Sequence, residues 1–201
     1  MAASIASEFV RVKGAKIHYL EAGDPTAPCV LFLHGASFSA QTWEEIGSLQ
    51  FFAARAYRAI SLDLPSYGQS ESFSSSGDRA EFLTEFFQAI GITRPVLVSP
   101  SMSGGYSLSL LAHSPERLSG FVAVAPVGIH RYANELEGID LPVLAIWGSN
   151  DSIVPAKQAD RLVELMPNAR KVILPDAGHA CYMRATTEFH ESLLKFLGKL
   201  Q

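Results

Sequence analysis

Three side-chain types, far apart along the chain, could together carry out acyl transfer. A serine hydroxyl is a weak nucleophile until a histidine takes its proton, and that histidine needs a carboxylate to fix its tautomer. The stretch "SPSMSGG", residues 99–105, follows the apolar run "PVLV" and offers three hydroxyls. Asp151 in "WGSNDSIVP" and His179 in "PDAGHACY" each lie just past another apolar run. Rival groups fit less well. Asp176 is one rival; Asp63 follows a strand too early in the chain, and Asp140 precedes a strand. No carboxylate follows the sixth strand until Glu135. His18 falls in a hairpin, His113 ends a helix, His130 lies in a connection and His190 rides an amphipathic helix.

The choice among the serines rests on register. A nucleophile on a tight strand-to-helix turn needs small residues two positions before and after it. From Ser101 those positions are Ser99 and Ser103; from Ser103 they are Ser101 and Gly105. Pro100 holds Ser99 extended, as the last residue of a strand, which puts Ser101 at the turn itself. Ser103 would need two more residues of loop and stays as the alternative. The amide of Met102 is then one oxyanion donor. The other is Ala36 in "HGASFSAQTW", where Gly35 lets the backbone turn inward and His34 shapes the turn. Such donors are commonly worth ~3 kcal/mol each.

These residues need a scaffold that gathers the ends of distant strands. "EFVRVKGAKIHYLEAG" is an opening hairpin around Lys13-Gly14. Buried runs follow ("CVLFLHG", "RAISLDLP", "PVLVS", "LSGFVAVAP", "PVLAIWG", "RKVILPDAG"), separated by stretches of helical spacing. The stretch "TWEEIGSLQFFAARAY" has such spacing, with Trp43, Ile46, Leu49 and Phe52 or Ala53 on one face. The pattern predicts a single α/β domain over 1–201: about eight mostly parallel strands, helices on both faces and an antiparallel edge. The connection "VGIHRYANELEGIDL" is too short for a cap domain. The polar stretch 67–78 reads as a mobile surface loop.

Composition narrows the classes. Hydrophobic residues make up 48% of the 201 and charged residues only 18%, with a net charge of −4. A globular protein with no nucleic-acid partner is expected from that balance. No apolar run is long enough for a membrane span, and the first residues do not read as a secretory signal. Cys29 and Cys181 form neither a metal-ligand spacing nor a redox pair, and read as free buried thiols in a reducing compartment.

The order Ser101, Asp151, His179, each after its own strand, resembles the α/β-hydrolase superfamily over almost the whole chain. "HGASFSAQTW", "LDLPSYGQS", "SPSMSGG", "WGSNDSIVP" and "DAGHACY" fall where that family has its landmarks. Ser66 stands where glycine is usual. The serine-flanked elbow, the "GHACY" segment and the missing cap are similar to the abhydrolase domain-containing protein 14 group. That resemblance implies a Ser101–His179–Asp151 triad acting on small acyl esters or acylated amines, including acetyl groups on protein lysines. Acyl transfer of this kind needs no bound cofactor or metal; the resemblance implies coenzyme A as an acyl acceptor and a cytoplasmic or nuclear protein, and a monomer is expected. A general carboxylesterase or thioesterase and a non-catalytic binding module are the alternatives.

Overall fold

The computed structural model describes residues 3–72 and 79–200. The opening hairpin pairs β1 (Ile5–Val12) with β2 (Ala15–Ala22), antiparallel. Its turn residues, Lys13 and Gly14, have φ of 50° and 86°. Two positive φ values are what a tight two-residue hairpin turn requires. β2 then lies antiparallel to β4 (Arg58–Leu62). From β4 onward the neighbours run parallel: β3 (Cys29–Phe32), β5 (Val96–Pro100), β6 (Gly120–Val124), β7 (Val143–Gly148) and β8 (Ala169–Leu174). The spatial order of the eight strands is β1-β2-β4-β3-β5-β6-β7-β8.

The central strands are buried on both faces, and alternate residues feed two separate cores. Leu97 of β5 joins a core with Phe82 and Phe86 of α3 (Arg79–Ala89), Leu108 and Leu111 of α4 (Gly104–His113) and Leu162 of α6 (Lys157–Leu165). Val96 and Val98 join the other, with Trp43 of α1 (Gln41–Glu45), Phe52 of α2 (Ser48–Ala53) and Phe189 and Phe196 of α8 (Thr186–Leu197). This is the two-sided α/β architecture expected from the alternation of buried runs and amphipathic stretches.

Two details depart from the sequence reading. The helical spacing over 42–57 resolves into α1 and α2, because Gly47 takes φ 74° and ends the first helix. Trp43, Leu49 and Phe52 still reach the core, whereas Ile46, at the break, is only half-buried. The stretch 67–78 also begins tied down: the Gln69 amide donates to Asp63 Oδ2 at 2.9 Å, and the Ser70 hydroxyl to Asp63 O at 2.7 Å. Its residues 73–78 lie outside the described residues. Between β6 and β7 stands only α5 (Ala133–Leu136) with a short turn before it, and no cap domain is evident. Among the described residues, no helix is long and apolar enough to cross a membrane.

Candidate active site

β5 ends at Pro100, a short 3-10 turn spans Ser101–Ser103, and α4 begins at Gly104. Ser101 sits at this reversal with φ 50°. A left-handed serine costs of order 1 kcal/mol or more, so the surroundings must hold it there. The Val127 amide does so by donating to Ser101 O at 2.9 Å. Gly104 allows that approach, since a Cβ there would stand 2.4 Å from Val127 O. Within this turn the tightest demand for glycine therefore falls three residues after Ser101.

The flanking serines face inward. Ser103 is fully buried, and its hydroxyl donates to Pro100 O at 2.7 Å. Ser99 Oγ lies 2.9 Å from Ser103 Oγ and 2.6 Å from Ser107 Oγ, in a buried cluster. Serines at these positions replace small glycines without leaving buried hydroxyls unsatisfied.

His179 lies on the loop after β8, followed by α7 (Cys181–Arg184). Its Nε2 is 2.7 Å from Ser101 Oγ, and its Nδ1 is 2.8 Å from Asp151 Oδ2. The Asp151 side chain is 0% exposed, and its other oxygen accepts the Ile153 and Val154 amides at 2.9 Å each. An ionised carboxylate only accepts hydrogen bonds, so His179 carries its proton on Nδ1. Its Nε2 lone pair is left for the Ser101 hydroxyl.

The loops after β7 and β8 are held together by backbone. The Ser149 amide donates to Leu174 O and the Asn150 amide to Ala177 O, both at 2.9 Å. Gly148 is the pinch point: a Cβ there would lie 2.2 Å from Ala177 O and 2.3 Å from Gly178 O. Trp147 Nε1 donates to Val154 O and braces the Asp151 loop from below. Sequence reading missed Gly148, which looks like any strand-terminal glycine until the neighbouring loop is in place.

On the other side of Ser101 runs the turn after β3. A Cβ on Gly35 would come within 3.7 Å of Ser101 Cβ, so this turn passes close beside the serine. His34 is buried; its Nδ1 donates to Gly35 O at 2.8 Å, and its Nε2 accepts the Leu64 amide at 3.0 Å. Burial lowers its pKa, which keeps the imidazole neutral and the Leu64 contact intact. Asp63, rejected above as the histidine's partner, anchors the far end of the turn by accepting the Ala40 amide at 2.7 Å. Among the described residues, neither the Ala36 nor the Met102 amide donates to another group of the chain.

The two cysteines are free, and burial pushes both thiols up to about 12. Neither has the thiolate character a nucleophile needs. Among the described residues, no group of three or more His, Cys, Asp or Glu could hold a metal ion.

Known proteins share this arrangement of elements. The sequence profile of the alpha/beta hydrolase family matches residues 30–138, and that of the alpha/beta hydrolase fold matches residues 128–186. Protein ABHD14A of Danio rerio is 43% identical over 175 residues, which are 85% of this chain and 64% of that protein. This chain thus spans somewhat under two thirds of that relative. A Homo sapiens protein named "Putative protein-lysine deacylase ABHD14B" is 34% identical over 212 aligned positions that span both chains in full. Among solved structures, a protein described as a predicted CIB-like hydrolase from Thermoplasma acidophilum superposes with a TM-score of 0.92. It is 25% identical, with 97% of this chain and 98% of that one covered. With a profile match over more than half its length and relatives of this similarity, the chain belongs to the alpha/beta hydrolase family.

Proposed function

We propose that the protein is a serine hydrolase that cleaves small acyl esters or acylated amines, with Ser101 as nucleophile, His179 as general base and Asp151 as its orienting carboxylate. One observation carries this reading: a continuous hydrogen-bonded relay from Ser101 Oγ through His179 to Asp151, starting from a serine at φ 50°. Ser101 Oγ attacks the acyl carbonyl as its proton passes to His179 Nε2. The amides of Ala36 and Met102 receive the developing oxyanion, and His179 returns the proton to the leaving oxygen or nitrogen. Water or a thiol acceptor, activated by the same imidazole, then releases the acyl group from Ser101.

The absence of an evident cap over the strand ends suits a short acyl group on a bulky carrier. The name of the human relative makes an acylated protein lysine the first carrier to try. The test is fluorophosphonate labelling of the wild type, Ser101→Ala and Ser103→Ala, alongside turnover of p-nitrophenyl acetate and an acetyl-lysine peptide. Labelling of the Ser99–Gly105 segment, and catalytic turnover, should vanish in Ser101→Ala and persist in Ser103→Ala. Labelling that survives Ser101→Ala and vanishes in Ser103→Ala overturns the assignment.

A further inference from the structure

A second serine–histidine–aspartate set lies toward the β1 edge of the sheet, its serine and histidine on the opening hairpin and its aspartate just past β4. The β1–β2 register pairs Phe9 with His18, so Ser7, Phe9 and His18 share one face. His18 is 2% exposed; its Nδ1 is 2.7 Å from Asp63 Oδ2, and its Nε2 is 2.9 Å from Ser7 Oγ. Asp63 also accepts the Ala40 amide on Oδ1 and the Gln69 amide on Oδ2. Such a carboxylate can only accept, so the His18 proton sits on Nδ1 and the Nε2 lone pair is directed at Ser7. Ser7 itself is exposed to solvent. The side-chain nitrogen of Gln69 lies 3.3 Å from the same Nε2, a longer contact than that of Ser7, which leaves the serine the better placed donor.

We propose that Ser7 is a second acyl acceptor, taking acyl groups from small activated esters, with His18 as its general base and Asp63 fixing the His18 tautomer. In the reaction, a bond forms between Ser7 Oγ and the acyl carbon while the bond from that carbon to the leaving oxygen breaks. The hydroxyl proton passes to His18 Nε2 and on to the departing oxygen, and nothing is oxidised or reduced. Once Nε2 carries that proton, it no longer accepts from Gln69, whose side-chain amide is free to donate to the acyl oxygen.

The backbone limits how far this chemistry goes. Ser7 occupies a regular strand position opposite Leu20, not a strained reversal. One mobile side-chain amide replaces the two backbone donors beside Ser101. Release of the acyl group needs the same oxyanion stabilisation as its capture, so acyl-Ser7 should form slowly and persist, one per chain. A histidine that only satisfies its buried nitrogens would leave Ser7 as unreactive as any surface serine.

The experiment uses the full chain carrying Ser101→Ala, which makes it independent of the function proposed for Ser101. The protein is incubated with p-nitrophenyl acetate, and acetylation of each serine is followed by peptide mass mapping. Ser37 and Ser66, which are also exposed, serve as references within the same molecule. General-base assistance predicts that Ser7 is acetylated at least ~10-fold faster than either. The additional change Ser7→Ala should abolish that phase. Acetylation of Ser7 at the rate of Ser37 and Ser66 overturns the proposal.

Discussion

The Ser101–His179–Asp151 and Ser7–His18–Asp63 sets have nearly the same hydrogen-bond lengths, 2.7 and 2.8 Å against 2.9 and 2.7 Å. Both carboxylates are buried and both accept backbone amides. The sets differ in what surrounds the hydroxyl. Ser101 projects from a left-handed turn between a strand and a helix, whereas Ser7 lies at a regular strand position opposite Leu20. The comparison separates activation of a nucleophile, which side chains supply, from stabilisation of the oxyanion, which needs a particular backbone.

Replacing each aspartate by asparagine is the sharpest way to break that contrast. Asp151→Asn keeps the shape but offers an N–H where His179 needs an acceptor. Turnover of p-nitrophenyl acetate should fall by ~10³–10⁴-fold, the scale expected when the imidazole takes the wrong tautomer. Asp63→Asn disturbs a carboxylate that ties the hairpin to the Ala40 and Gln69 amides. It should cost about 2–3 kcal/mol of stability in urea unfolding, with turnover per folded molecule lowered by less than ~10-fold. Equal losses of turnover in the two variants would erase the distinction between the sets.

Gly148→Ala probes the backbone half of the argument without touching any of the six side chains. The added methyl would collide with the carbonyls of Ala177 and Gly178, and backbone cannot swing aside as a side chain can. Forcing the Asp151 and His179 loops apart should cost about 1–3 kcal/mol of stability. A displacement of the order of 1 Å should lower turnover by ~100-fold. Ser7 acetylation should be unaffected, because the hairpin lies at the far edge of the sheet. A thermal melt and the acetylation time course read both effects.

The strand and helix pattern was legible because hydrophobic periodicity is a local property. The residues of the Ser101 site were legible because the positions that follow parallel strands converge at one edge of the sheet. The Ser7 set was not. Its members are joined across 11 and 45 residues by antiparallel register, and period-2 patterning says which face His18 takes but not which loop aspartate meets it. Asp63 was discarded as a partner for His179 on chain order, which left open its contact with a different histidine. Gly148 and Gly104 escaped for a similar reason, since a close approach is a property of two loops.

A third serine–histidine contact tests what the carboxylate itself contributes. Ser48 Oγ lies 2.8 Å from His190 Nε2 in the core between α2 and α8, and no acidic group pairs with that imidazole among the described residues. The ring of Phe51 stacks on His190 at 4.5 Å, and the Arg55 guanidinium covers the other side of Phe51 at 3.6 Å. Desolvation, and then the Arg55 charge, lower the His190 pKa from 6.5 to about 4. A base with a depressed native pKa stays neutral when folded while the unfolded chain takes up a proton. Its contribution to stability is therefore complete above about pH 6.5 and lost as pH falls toward 4. The full difference amounts to at most about 3 kcal/mol. Between pH 7 and pH 4.5, urea unfolding of the wild type should lose about 2 kcal/mol more than that of His190→Gln, which keeps a polar partner for Ser48 but does not titrate. Equal losses would mean that His190 protonates freely in the folded chain, and that burial without a carboxylate does not hold a histidine neutral here.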